Sequence, residues 1–204
     1  MAKTKYKFVC QSCGYTTAKW LGRCPECGAW DSLVEEAEVT TKSSKSYLPT
    51  TSEKIKPRTI ASVAQLKLER LATGIHEFDR VLGGGVVPGS LVLLGGTPGI
   101  GKSTILLDAG LRFGQRGIKV LYVSGEESEE QTAMRAVRLG GASANENLLI
   151  MTATDLDAIL AQANAIQPQL LIIDSIQTMY NAELPTAAGS VGQVRECTAK
   201  LLQF

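Results

Sequence analysis

No stretch of this 204-residue sequence is apolar for long enough to cross a bilayer. The basic N-terminus, MAKTKYKFVC, also lacks the apolar core of a secretion signal. Together these absences point to the cytoplasm and away from a membrane partner. Charge of one sign is missing too: 21 Lys/Arg stand against 20 Asp/Glu, a net +1, so the whole chain is no obvious polyanion binder. Histidine occurs once, at His76, and reads as a helix-surface residue. After residue 27 a single cysteine remains, Cys197, expected as an ordinary buried helix residue because free cysteine behaves as a small hydrophobe. No segment repeats internally. The final stretch, SVGQVRECTAKLLQF, has no Gly or Pro terminator, so the natural chain is expected to continue into further strands.

What is present is concentrated. With 44% hydrophobic and 20% charged residues the chain is a soluble globular type. Its two parts differ in charge: residues 1–60 carry ten Lys/Arg against six Asp/Glu, and residues 61–204 eleven against fourteen. Four of the five cysteines, Cys10, Cys13, Cys24 and Cys27, form CxxC, ten residues, CxxC. In a reducing compartment such pairs are metal ligands before they are disulfides. Two close pairs set four thiolates at tetrahedral corners, which suits Zn²⁺. All four positions being filled, the site should be structural, and its binding free energy should replace a core that so few residues cannot build. Four thiolates on one Zn²⁺ reduce the local balance to about +2, which permits contact with nucleic acid without demanding it. Lys3, Lys5, Lys7, Lys19 and Arg23 favour DNA as the module's target. Trp20 and Trp30 suit DNA or a protein partner, with at least one of them expected to pack.

Composition divides the chain into a zinc ribbon at 1–34, a flexible linker at 35–60 rich in Ser, Thr, Lys and Glu, and a core at 61–204. In the core, apolar runs alternate with helical stretches, the pattern of βα units around a mainly parallel sheet. The pattern predicts the α/β class, a mainly parallel sheet, expected to be incomplete at its C-terminal end, behind a small ribbon. SLVLLGG reads as a buried strand, then a helix from Ser103 to about Gln115. KVLYVSG, NLLIMTA and PQLLIIDS are further strands, with helices at SEEQTAMRAVRLGG and DLDAILAQANAI. Ser128 with Gln131, and Ser190 with Gln193, have capping-box spacing.

GGTPGIGKST contains Gly96, four residues, then Gly101, Lys102 and Ser103, the GxxxxGK[ST] pattern. The loop Gly96, Thr97, Pro98, Gly99, Ile100, Gly101, Lys102, Ser103 and Thr104 is the candidate ATP-binding element. Its glycines let backbone N–H groups wrap phosphates, and the following helix points its positive end at them. Lys102 is expected at the β and γ phosphates, Ser103 on Mg²⁺, and Thr104 near the α phosphate. A ligand-free glycine turn is the alternative, and the flanking strand and helix argue against it. Asp174, ending the apolar run LLIID, is the second candidate Mg²⁺ ligand; a carboxylate there is costly as plain packing. Ser175 is either its support or a helix cap. Of the acids in YVSGEESEE, Glu129 and Glu130 fall in a helix's first turn, where the dipole favours them. Glu126 and Glu127 fall at a strand exit, where α/β sheets bind ligands. Glu126 is the candidate catalytic carboxylate, with Glu127 the alternative.

The stretch TGIHEFDRVLGGGVVPGSLVLLGGTPGIGKST resembles the entry to RecA-like recombination and helicase ATPases. With the four-cysteine module and with GRCPECGAW, YVSGEES, LLIIDSIQT and GSVGQVREC, it resembles the bacterial RadA (Sms) family over nearly the whole chain. That resemblance implies a RecA-like P-loop ATPase, hexameric when full length, acting in homologous recombination and repair of DNA damage by branch migration. It implies partners among single-stranded or branched DNA, a recombinase and replication proteins, and a nucleotide site completed by a cation from the neighbouring subunit. The KNRFG motif and Lon-protease-like domain of the family are not in this sequence. The segment after Asp174 corresponds to a loop facing DNA, where Tyr180 and Arg195 are the candidate contacts. No Lys or Arg lies between Ser175 and Gln193, and a mobile surface loop is the alternative. Two rival functions stay open: a nucleotide-gated regulatory ATPase of clock-protein type, and a zinc adaptor that senses nucleotide without acting on DNA.

Overall fold

The structure, a computed structural model, describes residues 5–38, 59–60, 69–141 and 145–204. Residues 39–58 of the expected linker, and the expected start of the core at 61–68, lie outside the described residues.

In the ribbon, β1 (Lys5–Cys10) pairs antiparallel with β2 (Thr16–Thr17) and β3 (Leu33–Glu38), in the order β2-β1-β3. The register sets Cys10 opposite Leu33, and Cys10, Cys24 and Leu33 make a small buried cluster with Phe8 and Tyr15 against it. β3 runs on through Glu38, so residues 35–38, read from composition as linker, are strand: backbone pairing with β1 carries them whatever their side chains. Both tryptophans depart from the expectation that one is packed. Trp20 is 56% and Trp30 72% exposed, and the buried cluster of the ribbon is made instead by Cys10, Cys24 and Leu33 with Phe8 and Tyr15. The Arg23 guanidinium lies over the Trp30 ring, 5.6 Å from its centre.

Among the described residues the further elements are α1 (His76–Val81), α2 (Lys102–Gln115), β4 (Val120–Ser124), α3 (Glu129–Arg138), β5 (Leu148–Thr152), α4 (Leu156–Ile166), β6 (Leu170–Asp174) and α5 (Val191–Gln203). His76 opens α1 with its side chain 91% exposed. Strands β5, β4 and β6 form a parallel sheet in that order, all five residues of β4 being buried. Alternation along β4 sorts its side chains between two layers. Val120 and Tyr122 join Leu107, Leu111 and Phe113 of α2 on one face; Leu121 and Val123 join Leu156 and Ile159 of α4 and Cys197 of α5 on the other. Each such side chain contributes about 1.5–3 kcal/mol on burial, which is why a strand covered on both faces reads as one apolar run.

Caps set the helix starts. Ser128 Oγ accepts the Gln131 N–H and Gln131 Oε1 accepts the Ser128 N–H, a complete box for α3. At α5 only half of the expected box forms: Ser190 Oγ accepts the Gln193 N–H, but the Gln193 side chain turns inward and is 1% exposed. It accepts the Asn181 N–H (2.8 Å) and donates to the carbonyls of Asn181 (3.1 Å) and Thr186 (3.0 Å). A buried amide bonded three ways gains more than a solvated cap, and it pins the segment leading out of β6.

SLVLLGG is not the buried strand that its composition predicts. Residues 91–96 join no ladder among the described residues, and Leu91, Val92 and Leu93 are 44%, 45% and 80% exposed. A strand exists only where a second edge meets it. Both edges of β4 are taken by β5 and β6, and this run pairs with neither of their outer edges.

Candidate functional site

The loop from Gly96 delivers the chain into α2 at Lys102. Gly101, the residue before the helix, has φ 102°, in the left-handed region that favours glycine. Thr97, Pro98, Gly99 and Ile100 form the exposed crest of the loop, and Thr104 is exposed on the first turn of α2. Lys102 folds back over this turn, its Nζ donating to the carbonyls of Gly96 (2.9 Å) and Thr97 (3.0 Å). The ammonium is thus held at the loop, where a phosphate oxygen could replace the carbonyls.

Asp174 ends β6 beside this helix start. Its Oδ1 accepts from Ser103 Oγ at 3.0 Å, a contact between residues 71 apart in sequence. A hydroxyl and a carboxylate oxygen at this spacing are hard donors of the type Mg²⁺ takes, so the residues present fit that ion. The other oxygen, Oδ2, accepts from Tyr122 Oη. Burial, and then the Asp174 bond, push the Tyr122 hydroxyl well above the usual tyrosine range.

The two glutamates at the exit of β4 have different surroundings. Gly125 N–H donates to the Asp174 carbonyl (2.8 Å), and a Cβ on Gly125 would collide with the Thr178 and Met179 side chains. This close approach sets the chain leaving β4 against the chain leaving β6. Glu126 is exposed there, and its Oε1 accepts from Ser175 Oγ at 2.8 Å, next to Asp174. The Asp174–Ser175 peptide is cis. Glu127 turns the other way: its carboxylate pairs with Arg135 of α3, and its N–H donates to Ser124 Oγ (2.9 Å). Tyr180 is tied by backbone bonds to Thr154 and Leu156, and with Asn181 held by Gln193 this stretch is anchored. Arg195 is exposed on α5.

In the ribbon, the Sγ atoms of Cys10, Cys13, Cys24 and Cys27 all lie within 4.8 Å of one another. Two edges of this figure, Cys10 to Cys27 and Cys13 to Cys24, measure 3.7 and 3.6 Å. A tetrahedron of thiolates about 2.3 Å from one zinc has edges of about 3.8 Å, so the donors fit that ion. The Ser32 hydroxyl, helped by the backbone at Ser12 and Cys13, brings the Cys10 thiol down to about 6. Cys13 is drawn down by the Tyr15 backbone, yet burial and the three neighbouring cysteines push it up to about 12. Four thiols so placed lose their protons together only when a cation shares them.

No motif or spacing in the sequence points to the contacts of three side chains: Tyr122 lies within the run KVLYVSG, Arg135 within SEEQTAMRAVRLGG, and Gln193 is marked only by its capping-box spacing to Ser190.

Residues 8–35 match the family described as rubredoxin metal binding domain, and residues 57–204 match the AAA domain family. The whole chain is 50% identical to a protein of Halalkalibacterium halodurans named DNA repair protein RadA. It is 48% identical to proteins of the same name from Bacillus subtilis and Listeria monocytogenes. In each case it spans 44% of the relative's length. With a loop of GxxxxGK[ST] type against the acid of a parallel strand, behind a four-cysteine metal site, the chain belongs to the AAA domain family and is similar from end to end to DNA repair protein RadA.

Proposed function

We propose that this chain carries the nucleotide-hydrolysing and zinc-binding parts of a DNA-dependent ATPase of recombination and DNA repair. The observation that carries this reading is the contact between Ser103 and Asp174, which brings the phosphate loop to the acid of a neighbouring strand. Lys102 grips the β and γ phosphates of ATP, Thr104 lies near the α phosphate, and Ser103 and Asp174 hold Mg²⁺. Bound there, Mg²⁺ neutralises charge that builds on the phosphate oxygens. Glu126 orients the attacking water and accepts its proton, with Ser175 holding the carboxylate in place. Cys10, Cys13, Cys24 and Cys27 hold a structural zinc, and the ribbon serves recognition of DNA or of a partner protein. The names of the relatives support DNA as the ligand. Residues 1–34 then form the ribbon, 35–60 the tether and 61–204 part of the ATPase core. In the whole protein we place these in a cytoplasmic homo-hexamer that promotes branch migration, working with a recombinase and with replication proteins on single-stranded or branched DNA.

The test is phosphate release by the whole protein with and without single-stranded DNA, beside its Lys102→Ala variant. Hydrolysis that single-stranded DNA accelerates is the expected result. Lys102→Ala is expected to weaken ATP binding on the order of 10- to 100-fold, the loss of a charge-assisted contact, measured with a fluorescent ATP analogue. Hydrolysis indifferent to DNA would instead favour the regulatory ATPase.

A further inference from the structure

We infer that Tyr122 is a positioning residue for Asp174, holding the carboxylate so that one oxygen faces the phosphate loop. The inference rests on the proposed nucleotide site. Tyr122 is fully buried in the middle of β4, its ring packed in the cluster that contains Leu107 and Phe113 of α2 and Ile172 of β6. Phenylalanine would fill that space equally well and without the cost of burying a hydroxyl, so the hydroxyl calls for an explanation beyond packing. Its partner supplies one. β4 and β6 run in parallel register with Ser124 beside Asp174 and Tyr122 beside Ile172. From two residues down the strand, the tyrosine ring spans the distance to the strand tip and sets its Oη on Asp174 Oδ2.

The two oxygens of Asp174 therefore have separate donors. Oδ2 is held by a rigid group rooted in the core, and Oδ1 is left to Ser103, on the first turn of the helix behind the loop. A carboxylate at a strand end otherwise rotates freely about its last bond. A donor fixed in the core removes that freedom and keeps Oδ1 turned toward Ser103, the pair proposed to share the metal. Ser175 does the corresponding work for Glu126 from the next position along the chain. Thus the metal-holding acid and the water-activating acid are each oriented by a hydroxyl, one buried and one near the surface.

The experiment measures the Mg²⁺ dependence of binding of a fluorescent ATP analogue to the whole protein and to Tyr122→Phe. Binding with Mg²⁺ removed by EDTA, and the thermal midpoint, are recorded for both. We expect Tyr122→Phe to need about ten-fold more Mg²⁺ for half-maximal binding, the effect of one lost bond to a charged group, with metal-free binding unchanged. In an Asp174→Asn background the same change should have no further effect on the Mg²⁺ requirement, because the oriented carboxylate is already gone. An unchanged Mg²⁺ requirement in Tyr122→Phe would overturn the inference. So would a loss that persists in the Asp174→Asn background, or an equal loss without metal, which would make the hydroxyl a matter of folding alone. If the unaltered protein binds no nucleotide at any Mg²⁺ concentration, the proposed function itself falls.

Discussion

Glu126→Gln is expected to leave nucleotide binding intact and to lower phosphate release by about two to four orders of magnitude, the usual contribution of a positioned general base. The amide keeps an oxygen where Ser175 Oγ donates to Glu126 Oε1 at 2.8 Å, so the local geometry survives while the ability to take a proton is lost. Glu127→Gln should behave oppositely. Glu127, its side chain 38% exposed, is paired with Arg135, whose side chain is 19% exposed, and neutralising the carboxylate takes this partner from the more shielded guanidinium and weakens folding. Its thermal midpoint should drop while its hydrolysis, corrected for folded protein, stays within a few-fold of normal. Binding and single-turnover phosphate release on both variants decide the matter, and normal hydrolysis by Glu126→Gln would remove that residue from the mechanism.

Stripping zinc should unfold the ribbon while leaving the helical core standing. Structural zinc is worth roughly 10–16 kcal/mol to modules of this kind. The ribbon's own buried cluster of Cys10, Cys24 and Leu33 cannot replace a contribution of that size. The chain offers a selective reporter, because both of its tryptophans, Trp20 and Trp30, lie in the ribbon. Chelation should release one zinc per chain and change the tryptophan emission, while the far-ultraviolet helical signal is largely retained, because the described elements of the ribbon are strands. Cys24→Ala should reproduce the emission of the stripped protein. Zinc binding should also release protons to solvent and tighten as pH rises, because protons compete with the metal for the same sulfurs, that of Cys13, held well above the usual thiol range by burial and its neighbours, most of all. Tryptophan emission unchanged by complete metal removal would show that the module folds without zinc.

Much of the site was legible because it is written in short-range patterns. The spacing of four cysteines, the run from Gly96 to Thr104 and the Ser128 cap each depend on residues within a few positions, where backbone geometry leaves few alternatives. The strands VLYVS, LLIMT and LLIID were legible as short apolar runs bounded by turn residues, and each finds a parallel partner in the sheet. The run SLVLLGG has the same composition and forms no ladder here, since pairing is a property of two segments and composition describes one.

By itself, then, the sequence determined the α/β class, the metal-binding set and the phosphate loop, because those follow from local spacing and from the hydrophobicity of single segments. Tertiary structure alone decided which groups act on one another: Ser103 on Asp174 across 71 residues, Tyr122 on the far oxygen of the same acid, Ser175 on Glu126, and Arg135 on Glu127. The reason is physical. A hydrogen bond extends about 3 Å, and only the register of parallel strands and the helices laid across them bring such distant residues that close.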